Sequence, residues 1–354
     1  MLLNKSAVLY GQKDIRIEYR DIPKLGPDEI LIRSVDVSIC ATEVKYWYHG
    51  IPGVPSGTKV IQGHELGGIV EDIGINVNNK SIIGIKVVVD PSLWCGICDM
   101  CRANMANLCR NLQFMSLPPV DGGFQQFYKV PFKNIHPIPK YMPMELSSLV
   151  EPLAVCMNAI SDAEKVAGTL TGKTIAIIGA GPQGLLLIQT LALKLPKSIC
   201  IIEPLDYRRK LAKEFGVDVA IDPRTEEPAD ISREITDGAG FDIVFEMAGE
   251  PSAYQVASAI AKPAGIVIIV GIPVEQTYIP IQTLTARRSG LTLKFVRRFN
   301  PNDLPKAINL LASGKIKANR ILTHFFSLDE IETAFNMLYD YSDNVLKAVI
   351  HPND

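Results

Sequence analysis

Four of the seven cysteines fall within fifteen residues, as Cys95-Gly96-Ile97-Cys98-Asp99-Met100-Cys101 and then Cys109. Two residues between successive thiols, then a longer return to a fourth, let one small loop wrap a tetrahedral four-thiolate zinc site. Metal–thiolate bonds would close such a loop in place of an apolar core, and they stabilise only the folded chain. The alternatives are a disulfide cluster or a buried apolar cysteine patch; disulfides belong to oxidising compartments. A closed four-thiolate site leaves no position open for a substrate, so this feature constrains the fold and is silent on chemistry.

With 354 residues the chain exceeds a comfortable single core, and two domains are expected. Charged residues are 21% of the chain and the formal net charge is -2, so no global basic surface points to nucleic acid or to a membrane. Hydrophobic residues reach 47%, enough for a large interior. The N-terminal Met1-Leu2-Leu3-Asn4-Lys5-Ser6 lacks the apolar region of a signal peptide. No uncharged apolar run of about twenty residues suggests a membrane span. A cytoplasmic, thiol-reducing setting is the expectation.

Along the first 150 residues short β-rich runs end at turn residues: Ile30 to Val35, Gly68 to Val70, and Lys86 to Val89. After Glu151-Pro152 the pattern changes. From about 153 to 287 strands alternate with helices, as in a parallel sheet of βαβ units. The expected strands are Thr174 to Ile178, Ile199 to Ile202, Asp242 to Phe245 and Gly265 to Val270. The tail from about 288 carries one more strand, Leu291 to Val296, then amphipathic helices near 302–313 and 328–339.

Gly179-Ala180-Gly181-Pro182-Gln183-Gly184 directly follows an apolar strand and directly precedes a helical run. In that context G-x-G-x-x-G marks a dinucleotide site. Gly179 permits the tight turn, Gly181 lets backbone approach a pyrophosphate, and Gly184 lets the helix lie close. Pro182 suits the first helical turn, and the N–H groups there face the diphosphate. Glu203 closes the next strand, 22 residues beyond Gly181. A carboxylate at that point accepts from an adenine-ribose diol and repels a 2′-phosphate, which favours NAD. Arg208 and Arg209 follow closely and keep NADP open.

Cys40, His64, Glu65 and Glu151 are further ligand types. His64-Glu65 lies between Gly63 and Gly67-Gly68, where small residues let side chains crowd around an ion. A cysteine, a histidine and a carboxylate with one open position form a plausible catalytic zinc set; a surface His–Glu pair is the alternative.

The segment Gly63-His64-Glu65-Leu66-Gly67-Gly68, with Gly74 beyond, matches the G-H-E-x-x-G signature of the zinc-dependent medium-chain alcohol dehydrogenases. Cys40-Ala41-Thr42-Glu43 resembles their C-G-[ST]-D, and the cysteine loop and glycine motif follow in the expected order. The likeness spans essentially the whole chain. It is strongest to the sorbitol (polyol) dehydrogenase branch, through Tyr46 to Gly50, Pro118 to Gly122, Glu151 to Leu153, Val296 to Asn300 and Leu322 to Phe325.

The resemblance implies an α/β protein: a GroES-like β-rich catalytic domain, 1–152 with 288–354, and a doubly wound Rossmann domain, 153–287. It implies two zinc ions per chain. The four-cysteine loop would hold the structural ion. Cys40, His64 and a glutamate would hold the catalytic ion, with Glu65 as ligand in polyol-type members and Glu151 holding the water or replacing it. It implies reversible NAD-dependent oxidation of a secondary alcohol of a polyol or sugar alcohol to a ketone, with Thr42 taking the first proton. Arg297, Glu151 and Tyr46 would be hydroxyl partners and Phe114 an apolar wall. A homo-oligomer is implied, with a tetramer favoured and a dimer left open. Threonine, a 2,3-diol or an aldose are alternative substrates; a non-catalytic zinc and nucleotide-binding protein would not need the open metal set.

The chain also departs from the pattern. Ala41 replaces the usual glycine, and Glu43 the usual aspartate, so an acid orienting His64 must pack differently. Lys45 stands where many relatives place a proton-relay histidine, which leaves His49 as the candidate for proton exit.

Overall fold

A computed structural model describes residues 3–273 and 278–354. Met1 and Leu2 of the N-terminal stretch, and residues 274–277 of the expected 153–287 domain, lie outside them. The chain divides into two compact units, Met1–Ala154 with Phe299–Asp354, and Val155–Arg298.

In the first unit the strand Glu29–Ser38 is the spine. It pairs antiparallel with Glu65–Ile73, Phe127–Pro131 and the last strand, Lys347–His351. Its residues are buried along nearly the whole length, whereas the edge strand Asp14–Asp21 stays largely accessible. The sheet continues through Lys86–Val89 to Ile135–Pro137 on one side and to Leu322–Ser327 on the other. A small sheet joins Asp14–Asp21, Leu3–Gly11 and Val60–Ile61, and a short pair, Ser92–Leu93 with Gln113–Phe114, brackets the cysteine run.

Helix Ala41–His49 is anchored to this unit's core by Trp47. The Trp47 ring lies edge-on to Phe335 at 5.7 Å, and Phe335 meets Phe124 at 6.1 Å. Burying a side chain such as Phe335 stabilises the fold by roughly 1.5–3 kcal/mol. The same packing fixes the helix whose first turn adjoins Cys40.

Among the described residues the second unit holds six parallel strands, in the order Val219–Ile221, Ser198–Ile202, Thr174–Ile178, Phe241–Glu246, Ala261–Ile269 and Thr292–Phe295. This is the doubly wound order, reversing direction at Thr174–Ile178, the switch point beside which ligands bind. The outermost strand departs from expectation. Thr292–Phe295 was expected within the returning segment, 288–354, but it pairs in parallel with Ala261–Ile269. The chain therefore re-enters the first unit only at Phe299. A short β-rich run carries no local signal for which sheet it joins; that depends on the edge available. The expected tail helices are Asp303–Ala312 and Ile331–Asp340. No helix among the described residues is long and apolar enough to cross a membrane.

Candidate active site

Cys40 stands between the end of Glu29–Ser38 and the start of Ala41–His49. Glu43, the third residue of that helix, reaches back so that its Oε2 accepts from the Cys40 N–H at 3.0 Å. This is half of a capping box, and it sets the angle at which the helix leaves the strand. Across the sheet, Ser38 pairs in register with Glu65, the first residue of Glu65–Ile73. Gly63 precedes it with φ +102, and a Cβ there would come within 2.9 Å of the Phe124 nitrogen and Val37 Cγ1. Only glycine accommodates both that φ and that contact. The result is that Cys40, His64 and Glu65 place ligand atoms within 4.8 Å of one another.

His64 Nδ1 lies 2.8 Å from Glu43 Oε1. Burial opposes charge on both groups, but the attraction of Glu43 and Cys40 holds His64 well above its usual range, and His64 in turn lowers Glu43. With Nδ1–H donated to Glu43, a metal would displace the Nε2 proton and take that nitrogen as its ligand atom. Glu65 Oε2 accepts from Ser38 Oγ and forms an ion pair with the Lys347 ammonium. Lys347 Nζ also donates to the Ile39 carbonyl at 3.2 Å. Burial would lower the Lys347 pKa; Glu65 and then Cys40 outweigh it and hold the amine above the ordinary lysine value. Glu65 Oε1 is buried without a hydrogen-bond partner. An orphaned carboxylate oxygen in the interior is unfavourable unless a cation meets it. One thiol, one imidazole and a Glu65 carboxylate oxygen form a donor set of the catalytic zinc type, and the residues fit.

Phe114 lies beside this set, its ring 5.2 Å from the His64 ring. Thr42, Lys45, Tyr46 and His49 share the helix Ala41–His49 and are all half-buried. His49 closes that helix, and its carbonyl accepts from Gln12 Nε2 at 2.6 Å. Glu151 is buried in the first turn of Val150–Ala167, yet the ligand set that forms contains Glu65 and not Glu151. Arg297 is exposed, just beyond Thr292–Phe295 in the second unit. Sequence reasoning missed Lys347 and Ser116. The only signal for Lys347 was a lysine heading the apolar run Ala348-Val349-Ile350.

In the cysteine loop all four sulfurs lie within 4.8 Å of one another. Cys109 Sγ is 3.5 Å from Cys95 Sγ and 3.9 Å from Cys98 Sγ, and it accepts from the Cys95 N–H at 3.3 Å. Backbone N–H groups of Ile97 and Cys98 bring the Cys95 thiol down to about 6, and those of Arg110 and Cys101 lower Cys98. Burial pushes Cys101 up to about 12. Converging N–H groups favour the thiolate form that zinc binds. All seven cysteines are free thiols, and the cluster fits zinc.

In the second unit, Gly179 takes φ +100, and a Cβ on Gly184 would lie 2.0 Å from the Gly179 oxygen. The turn and the helix Pro182–Ala192 therefore close on each other only with glycine at both places. In front of Gly181 a Cβ would meet nothing nearer than Arg208 Nη1, at 3.9 Å. That open face is the backbone approach a pyrophosphate needs. Glu203 is buried; its Oε2 accepts from the Ala180 N–H at 2.7 Å and its Oε1 from the Leu205 N–H at 2.9 Å. Each oxygen retains a lone pair for a ribose hydroxyl. Arg209 bonds the carbonyls of Glu203 and Pro204 at 2.8 and 2.6 Å and pairs with Asp222 at 3.1 Å. Arg208 is the arginine of the two that borders the turn.

The zinc-binding dehydrogenase family matches residues 182–313, and the alcohol dehydrogenase GroES-like domain matches residues 26–140. A sorbitol dehydrogenase of Bacillus subtilis (strain 168) is 31% identical over 350 residues, 99% of this chain and 97% of that one. An L-threonine 3-dehydrogenase of Pyrococcus abyssi is 32% identical over 337 residues, 94% of each chain. The crystal structure of a zinc-binding dehydrogenase from Sinorhizobium meliloti 1021, bound to NADP, superposes with a TM-score of 0.87 at 28% identity, covering 99% of this chain and 100% of that one. With both domains matched, and with one cysteine–histidine–glutamate set and one four-cysteine loop built for zinc, this chain is an enzyme of the zinc-dependent medium-chain alcohol dehydrogenase family, similar to its polyol branch.

Proposed function

We propose that the protein oxidises a secondary hydroxyl of a polyol or sugar alcohol to the ketone, reversibly, with NAD. The observation that carries the chemistry is the pre-oriented set of Cys40, His64 and Glu65, whose ligand atoms lie within 4.8 Å of one another, with one Glu65 oxygen buried and unpartnered. When bound, zinc supplies Lewis acidity toward the alcohol oxygen, and NAD supplies the hydride acceptor. Glu43 holds the His64 ring in one orientation, and Phe114 walls one side of it. Thr42 Oγ1 takes the hydroxyl proton, and His49 passes it outward in the absence of a histidine at Lys45. Tyr46, Glu151 and Arg297 hydrogen-bond the remaining hydroxyls of the substrate. Gly179, Gly181, Pro182, Gln183 and Gly184 cradle the diphosphate, Glu203 receives the ribose diol, and Arg208 lies alongside.

Support for the polyol comes from the sorbitol dehydrogenase relative and from the runs around Tyr46, Pro118 and Arg297. The threonine dehydrogenase relative, at similar identity, favours a second substrate class, with a 2,3-diol or an aldose beside it. The assembly carried with this function is a cytoplasmic homotetramer. NAD reduction screened across polyols, aldoses, threonine, 2,3-butanediol and simple alcohols separates these. Polyol turnover is expected to lead; its absence would overturn the assignment. Arg297→Leu should lower kcat/KM for polyols ten- to a hundredfold and leave a simple secondary alcohol nearly unchanged, about 1–3 kcal/mol for one lost polar contact.

A further inference from the structure

Glu43 is a buried carboxylate with an unusual load on one oxygen. Oε1 accepts from the Gly63 N–H at 2.7 Å, faces His64 Nδ1 at 2.8 Å, and accepts from Ser116 Oγ at 2.7 Å. Oε2 takes the Cys40 N–H. Three of those four groups belong to the metal ligands themselves or adjoin them, but Ser116 comes from a distant segment. It is 2% exposed and sits at φ +82, a conformation that a non-glycine residue rarely adopts. Its backbone is tied down by Ser116 N–H to the Val120 carbonyl at 3.1 Å and by Met115 N–H to the Pro91 carbonyl at 3.0 Å. Two residues earlier on the same segment, Phe114 packs on the His64 ring.

We infer that Ser116 is a positioning residue for His64, acting through Glu43. A glutamate has one more rotatable bond than an aspartate, so an acid of this length orients an imidazole only if its carboxylate is held. The Cys40 and Gly63 N–H groups pin it along one line. The Ser116 hydroxyl approaches from separate backbone and stops rotation about that line, which keeps Oε1 in front of Nδ1 and Nε2 aimed at the metal. The inference rests on zinc binding at Cys40, His64 and Glu65.

The test uses the full-length protein loaded with cobalt(II), following the visible absorption that His64→Ala removes. Ser116→Ala should release that metal about tenfold faster, in the range typical for partners behind metal ligands. It should also shift the band and lower kcat with KM for NAD unchanged. Ser116→Gly, which accepts φ +82 without strain, should show the same loss in a fold at least as stable, separating the hydroxyl from the backbone. In a Glu43→Gln background, Ser116→Ala should add little. Unchanged metal release and spectrum in both Ser116 variants would overturn the proposal, as would a Ser116→Ala loss that adds fully to that of Glu43→Gln. A parent protein with no band sensitive to His64→Ala would overturn the metal assignment and the proposal with it.

Discussion

The two metal centres lie in one unit and are built on opposite principles. In the cysteine loop the ligands are close in sequence, three of the four only partly buried, and the metal itself would be the main cross-link. In the Cys40–His64–Glu65 set the ligands come from two strands' ends and a turn, and Glu43, Ser38, Lys347 and Gly63 hold them before any metal arrives. One centre makes its fold, and the other is made by the fold. Metal removal should therefore do different things at the two places.

The largest contrast is expected between His64→Ala and Cys98→Ser. His64→Ala should abolish turnover and remove one zinc, with the melting temperature little changed. Cys98→Ser should remove the other zinc and lower the melting temperature steeply, losing part of the roughly 10–16 kcal/mol a structural zinc supplies in small domains. Metal analysis and calorimetry decide; both variants losing the same single ion would erase the distinction.

Next in size is the buried ion pair behind the catalytic set. Lys347→Met leaves the Glu65 charge unpaired in the interior, which should destabilise metal-free protein by about 3–5 kcal/mol in urea unfolding. The double variant with Glu65→Gln should recover most of that loss. If Lys347→Met is harmless by itself, the fold does not preassemble this centre.

A smaller effect is expected at the dinucleotide turn, where one carboxylate serves both fold and ligand. Glu203→Ala removes the acceptor of the Ala180 and Leu205 N–H groups. The KM for NAD should rise about tenfold, discrimination against NADP should relax, and stability should fall by roughly 1–3 kcal/mol. A parent enzyme that prefers NADP would instead make Arg208 the deciding group.

The smallest change concerns the strand that delivers Cys40. Burial pushes the Asp36 carboxyl up to about 6; His351 and Lys86 oppose this, and Glu145 and Asp354 add to it. A carboxyl raised in the folded state contributes stability below pH 3.8 that is lost as pH rises through about 6. Asp36→Asn should therefore be neutral near pH 3.8 and stabilising, on the order of 1 kcal/mol, above pH 6. Denaturant midpoints at the two pH values check the sign.

Much of this was legible beforehand because it is local. The strand Thr174–Ile178, the turn at Gly179 and the helix from Pro182 need only hydrophobic period and glycine spacing. The cysteine loop needs only ligand spacing. The strand Thr292–Phe295 was misplaced because its partner edge is remote in sequence. Of the two glutamates named beside His64, Glu65 is the one grouped with Cys40 and His64, and register brings it there, since Ser38 pairs opposite Glu65.

By itself the sequence pointed to the two kinds of unit, the four-cysteine cluster, the glycine turn, and Cys40 and His64 as ligand types. The zinc loop and the dinucleotide turn rest on residue types at short, regular separations, whereas Cys40 and His64 are 24 residues apart and were read from the family's motifs. Only the tertiary structure decided that Lys347 stands behind Glu65, that Ser116 stands behind Glu43, and that Arg209 is committed to Asp222 while Arg208 borders Gly181. Those partners lie far apart along the chain or on a neighbouring strand. Such pairings are set by sheet order and register, which many distant residues determine together and no short motif records.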